Sequence, residues 1–394
     1  MPDTKMSSRE RILKAMAFEP TDRVPLVLRF WSLGGEVDHI PFNWRDPIQR
    51  VEHTLALGLD DTLTLQPPLG YVEEYVPEAL ERVTSHTEWL PPTDSERYPL
   101  LKKVYETPDG PLQTIVAITE DWPHGEDIRL FDDFNLSRLS EPLVKSVDDL
   151  ARLRHLLAPP APAQIASFRQ GASALRAEAA RLGVAVDGGW VALGDAAMWL
   201  CGIERILYGQ MDQPESLDRL LDVIVEWELA RIDLLLAENV DVIVHMAWYE
   251  TTDFWTPAIY RRLLKPRLLR EIERVHRAGK RFRYIMTKAW MPYIQDFLDM
   301  GIDCLTGVDP VQDRIDLAQV KRRPGDRICL MGGMNSAVMF SQWSDAQIRE
   351  AAERAFRIMS PGSGFIAFPV DAVFNTQPWH KVEVLLDTWR DLHG

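Results

Sequence analysis

The run Val242-Ile243-Val244 ends in His245, and Trp248, Tyr249, Glu250 and Asp253 follow at once. An unbroken β-branched run reads as a strand buried on both faces, and chemistry in α/β folds gathers where such strands end. A histidine at that place can bind a metal or pass a proton. It can equally be held by a backbone carbonyl, and this segment alone leaves the two readings open.

Other strand ends carry similar side chains. In chain order they are Arg29 and Trp31, Gln66, Asp187, Thr287 and Lys288, Asp309, Asn335, and Asp371. Lys288 lies directly beyond Tyr284-Ile285-Met286, so a half-buried amine could act as acid, base or anion clamp; a lysine reaching for solvent is the plain alternative. Asp371 closes the apolar stretch 365–370, with Asn375 one turn on, and a carboxylate there has few structural duties. The glycine pair in Met331-Gly332-Gly333-Met334-Asn335 reads as a tight strand-to-helix turn, with amides offered to an anion as the alternative. Cys304, inside a strand, reads as a buried inert thiol. Thirteen tryptophans are present, and Trp31, Trp248, Trp255, Trp290 and Trp379 fall just after strand ends. Together with Tyr249 they suggest an aromatic-walled pocket for a flat or apolar ligand.

These residues need elements to hold them. Residues 7–16 read as a capped amphipathic helix. Strands are expected at 24–30, 61–65, 184–186, 240–245, 281–286, 302–305, 328–331 and 365–369, with helices at 164–182, 217–237, 257–278 and 345–359. Residues 71–140 break the rhythm, with a turn at Thr107-Pro108-Asp109-Gly110 between extended segments. The pattern predicts an α/β fold, a single (β/α)8 barrel over residues 1–394 with an inserted excursion between strands two and three.

Composition excludes several classes. A net charge of −15 without a basic stripe argues against nucleic acid as partner. No apolar run reaches the ~18 residues of a membrane span, and the start lacks a secretory leader, which points to the cytoplasm. Three scattered cysteines fit a reducing compartment and match no zinc-finger spacing. An oligomer is compatible with all of this.

The opening Arg9-Glu10-Arg11-Ile12-Leu13, then Asp22-Arg23-Val24-Pro25, Gly301-Ile302-Asp303, Gly325-Asp326-Arg327, Gly332-Gly333 and Gly362-Ser363-Gly364-Phe365-Ile366 resemble the uroporphyrinogen decarboxylase superfamily along nearly the whole chain. The resemblance implies a barrel; it is less specific for activity, since the superfamily holds tetrapyrrole decarboxylases and corrinoid-linked methyltransferases. The decarboxylases' arginine-rich motif is replaced by Leu33-Gly34-Gly35-Glu36, and the aspartate that holds pyrrole N–H groups by Gln66. Thr107-Pro108-Asp109-Gly110 and Lys145-Ser146-Val147-Asp148-Asp149-Leu150 look like members that demethylate methoxylated compounds. The His-x-Cys zinc pair of thiol-methylating members reads here Met286 and Lys288, and the histidine after the last strand reads Asp371.

The resemblance implies transfer of a methyl group from a small methylated donor, a methoxylated aromatic, to a corrinoid (cobalamin). No corrin-binding domain is visible in the chain, so the corrinoid is expected on a partner protein. A methyl ether needs its leaving oxygen protonated or coordinated. His245, Glu250, Lys288 and Asp371 are the candidate suppliers, either as acids or by building a different zinc site on His245 and Asp371. Arg29, Trp31, Gln66, Trp248, Tyr249, Trp290, Asn335 and Asn375 are the candidate substrate contacts. The alternatives are a metal-independent decarboxylase, with Lys288 or Arg29 holding the acid, and a binding protein that kept the barrel without the chemistry.

Overall fold

A computed structural model describes residues 5–31, 44–91, 97–212, 214–374 and 376–393, with Trp31 and Met211 described by backbone alone. Thirteen strands are present among them: β1 (Phe30–Trp31), β2 (Thr62–Leu65), β3 (Thr84–Leu90), β4 (Leu100–Thr107), β5 (Gly110–Ala117), β6 (Leu139–Glu141), β7 (Ala185–Ala192), β8 (Val242–Met246), β9 (Arg281–Ile285), β10 (Cys304–Val308), β11 (Cys329–Asn335), β12 (Phe365–Val370) and β13 (Val373–Phe374).

Seven of these form one parallel sheet in the order β2-β7-β8-β9-β10-β11-β12. The sheet is curled, because the stretch before β1 bonds to both of its edges. Asp60 N donates to Leu26 O at 2.9 Å on one side, and Val27 N donates to Ala367 O at 3.0 Å on the other. β1 then pairs with β13. The long first strand expected at 24–30 is thus reduced to isolated bridges at Leu26 and Val27 and a two-residue strand. Pro25, which has no N–H to give to a ladder, stands at its start.

The glycine-rich segment is a strand interior, not a turn. β11 continues through Asn335, and a Cβ at Gly332, whose φ is +152°, would meet Val308 O at 2.4 Å. The glycine is there so that β11 can approach the backbone of β10.

Between β2 and β7 lies a separate antiparallel sheet, β3-β4-β5-β6. Its central hairpin turns at Pro108-Asp109, with Thr107 paired to Gly110 and Gly110 at φ +105°. Tyr105 and Leu112 seat this sheet in the main hydrophobic core. No helix among the described residues is long and apolar enough to cross a membrane.

The first helix, Ser8–Met16, starts with a capping box from Ser7 and Glu10. Its Ile12, Ala15 and Met16 join the inward side chains of the sheet in one cluster, so the helix plugs the N-terminal end of the strands. Arg9 pairs with Asp241 at 2.7 Å, and buried Arg11 pairs with Asp22 at 2.6 Å and with Asp60 at 2.5 Å. That guanidinium holds the Asp22 carboxyl down at about 2. Asp303 accepts from Arg281 and from Phe282 N. The charged motifs of the opening segment and of 301–303 therefore tie the floor together, and the other end is left for chemistry.

Candidate active site

Successive side chains of a strand face opposite sides. Val242 and Val244 of β8 sit in the inner cluster with Ile285, Met331, Ile366 and Phe368, whereas Ile243 belongs to the core under the helices. His245 shares the phase of Ile243 and faces outward. It is fully buried, with Nδ1 2.8 Å from Glu271 Oε2 and Nε2 3.1 Å from Glu250 Oε1. Burial by itself would lower the imidazole pKa, but Glu271 and Glu250 more than offset it and raise it well above the ordinary value. Glu250 also accepts from Gly194 N at 2.7 Å and from the Tyr284 hydroxyl.

The expectation of His245 and Glu250 as groups of the active-site mouth is corrected accordingly. Both ring nitrogens are engaged by carboxylates behind the sheet. A zinc site shared by His245 and Asp371 does not form, since Asp371 lies on the inner side. No group of three or more His, Cys, Asp or Glu among the described residues is arranged to hold a metal.

The inner side encloses a cavity of about 610 Å³. Its rim is formed by Arg29, Gln66, Tyr71, Trp190 and Asp371, at the C-terminal ends of the strands. Ile285, Met331, Ile366 and Phe368 wall its middle, and Thr62, Asp187, Arg283 and Thr306 lie deeper. Above the Val27–Asp60 bridge, Leu28 to Phe30 and β2 are not paired with each other among the described residues. The cavity passes through that gap to Phe168 and Leu175 of the helix Pro162–Leu182.

Arg29 organises the rim. Its Nη1 lies 3.4 Å from Asp371 Oδ1, and its guanidinium sits 4.6 Å from the centre of the Trp190 ring. Trp248 packs edge-on against Trp190 at 5.8 Å, and Tyr71 stands 6.2 Å from the same ring. Gln66 Nε2 reaches Glu74 at 3.5 Å. Burial pushes the Glu73 carboxyl up to about 7, with the Arg29 charge acting the other way. Asp195 anchors the Trp248 loop by accepting from Trp248 N at 2.9 Å and Tyr249 N at 2.7 Å. The Tyr249 hydroxyl donates to Asp133 at 2.8 Å.

The structure thus brings Arg29, Gln66 and Asp371 together at the cavity, with Trp248 and Tyr249 on the adjoining loop. It does not bring the other expected contacts there. Trp290 and Trp255 are fully buried in the core. Asn335 caps the helix Ser336–Gln342 and donates to Asp309 at 2.6 Å. Lys288 is 44% exposed and paired with Asp253 at 2.6 Å, outside the cavity. Asn375, the Trp31 side chain and the 33–36 stretch lie outside the described residues. Cys304 is fully buried, beside Cys329. Trp190, Tyr71, Glu73 and Arg283 were not singled out by sequence. For Arg283 a signal existed: Arg281-Phe282-Arg283-Tyr284 alternates where a strand buried on both faces should not.

Because Lys288 makes an exposed ion pair, Lys288→Met is expected to change stability by no more than about 1 kcal/mol in urea unfolding. Ligand affinity should be unchanged within about twofold, and a larger loss of binding would return Lys288 to the site.

Comparison with known proteins agrees with this architecture. The structure is similar to a methyltransferase from Methanosarcina mazei, with a TM-score of 0.58, 16% identity, and coverage of 99% of this chain and 100% of that one. A uroporphyrinogen decarboxylase from Thioalkalivibrio sulfidiphilus (strain HL-EbGR7) is 26% identical over 177 residues, which is 44% of this chain. The match spans about half of that curated relative, 47% of its length. The model of the uroporphyrinogen decarboxylase (URO-D) family matches residues 123–392, and the chain belongs to that family.

Proposed function

We propose that this protein is a methyltransferase that takes a methyl group from a small methoxylated aromatic and delivers it to a corrinoid carried by a partner protein. The observation that carries the reading is the charge balance of the cavity. It is lined by three arginines, and each is paired with an aspartate: Arg29 with Asp371, Arg50 with Asp61, and Arg283 with Asp187. A tetrapyrrole bearing many carboxylates would bring far more negative charge than these three arginines, each already facing an aspartate, could balance among the described residues. A neutral ring against Trp190, Tyr71 and Phe368 suits the cavity. The fold shared with the Methanosarcina methyltransferase supports the same direction.

When bound, a reduced corrinoid supplies the electron pair that bonds to the methyl carbon, while the pair of the breaking C–O bond stays on oxygen. The chain's own residues act on that oxygen. Arg29, 30% exposed at the open end, is the charge that meets the forming phenolate. Asp371 and the Trp190 face fix its direction. Among the described residues no group of three or more His, Cys, Asp or Glu is arranged to hold zinc, and no step here is routed through it.

The test is incubation with cob(I)alamin, or a corrinoid protein, and a panel of aryl methyl ethers, following methylcobalamin by absorbance. Methylation of the corrinoid with release of a phenol is the expected result. Silence across the panel with the corrinoid protein supplied would sink the reading. The decarboxylase alternative keeps one support, the family itself, with Arg29 as the carboxylate holder. Release of CO₂ from a small aromatic acid without any corrinoid would favour it.

A further inference from the structure

The deep end of the cavity is polar where a barrel interior is ordinarily filled by aliphatic layers. Arg283 Nη2 donates to Asp187 Oδ2 at 2.7 Å, and the Thr62 hydroxyl donates to the same oxygen at 2.8 Å. Both side chains are withdrawn from solvent, at 12% and 3% exposure. The bond to Asp187 is the one hydrogen bond that the Arg283 guanidinium makes among the described residues, and its Nε is buried without a partner. Asp187 Oδ1 is likewise unpartnered. A guanidinium carries five N–H groups, and leaving buried donors unmet is costly. An ion pair kept inside the strands in this state calls for a further acceptor.

We infer that Arg283 and Asp187 form a recognition subsite for a neutral oxygen-bearing group, a hydroxyl or a carbonyl, at the end of the ligand remote from the rim. The two ends are well separated, since the four steps along the chain from Thr62, at the start of β2, to Gln66, just past its end, rise about 13 Å. Neutrality follows from the pairing: Asp187 already balances Arg283, and a carboxylate added beside it would leave an uncompensated negative charge in a low-dielectric interior. Thr306, whose hydroxyl points to Met331 Sδ at 3.5 Å, leaves its oxygen lone pairs on the same polar layer. The inference rests on the proposed reaction in one respect, the assignment of the reacting methyl group to the rim. With that assignment, the donor is an aryl methyl ether with a second oxygen function at its far end.

The subsite is tested by binding rather than turnover, with probes that cannot donate a methyl group. In isothermal titration calorimetry the wild-type protein should bind 4-ethylphenol about tenfold more tightly than 4-ethyltoluene. Arg283→Met alone strands a buried carboxylate, so the variant of choice is the double change Arg283→Met with Asp187→Leu, which replaces the pair by apolar side chains of similar bulk. It should unfold at a temperature near that of the wild type and bind the two probes equally. Equal affinities in the wild type would overturn the subsite, as would a hydroxyl preference that survives in a folded double variant. If the preference holds while no ether methylates a corrinoid, the subsite stands and the reaction assigned above falls. If ethers react while the probes bind equally, the reaction stands and the subsite falls.

Discussion

Arg29→Met is expected to slow methyl transfer from an aryl ether by about 10²–10³-fold, with the loss in kcat rather than KM. Charge develops on the leaving oxygen only as the C–O bond breaks, so a guanidinium aimed at that oxygen is worth more in the transition state than in the ground state. Asp371 at 3.4 Å and the Trp190 ring at 4.6 Å help to set that aim. Arg29→Lys should recover part of the rate, because it keeps the charge and loses the planar stack. Asp371→Asn should cost less than Arg29→Met, since it loosens the aim and leaves the charge. A methyl donor whose leaving group departs neutral, such as a quaternary amine, should be insensitive to all three changes if it is accepted at all. A loss below about threefold with aryl ethers would remove Arg29 from the chemistry.

His245→Leu is expected to destabilise the protein by about 3–5 kcal/mol, read as a shift of the urea midpoint at constant slope. The imidazole stands between Glu271 and Glu250, all three without solvent contact. Removing it leaves two buried carboxylates facing each other with no positive partner. The effect depends on pH with a definite sign. The folded imidazole holds its proton well above the ordinary histidine pKa of about 6.5, so its contribution is fully present below that pH and is lost as pH rises through the raised folded value. The gap between wild type and variant should therefore narrow on the alkaline side. A variant as stable as the wild type at pH 6 would mean that the buried ring is not the charged partner of the two glutamates.

The glycine and charge motifs of the chain marked the fold because they answer local demands. Arg9 and Arg11 must meet Asp241, Asp22 and Asp60 to close the floor, and Gly332 must be a glycine for β11 to approach β10. Most strand and helix positions followed from apolar runs, with the shortened first strand and the helix Gly194–Asp212 as exceptions, and the hairpin at Pro108-Asp109 followed from its turn residues. Sidedness was harder to read. Val242-Ile243-Val244-His245 is apolar in both phases, because inner and outer faces are both buried, so periodicity carries no sign that His245 points away from the cavity. Where the inner face is polar the alternation was visible, in Thr62-Leu63-Thr64-Leu65-Gln66 and in Arg281-Phe282-Arg283-Tyr284.

By itself, then, the sequence determined the run of most strands and helices and the inserted excursion, since each depends on neighbours in the chain. Only the tertiary structure decided that Arg29, Trp190 and Asp371 share one rim, that Arg283 and Asp187 meet beneath it, and that His245 lies behind the wall. Those outcomes depend on the curl of the sheet and the phase of each strand, which place side chains from distant segments on one surface, and no local pattern encodes that closure.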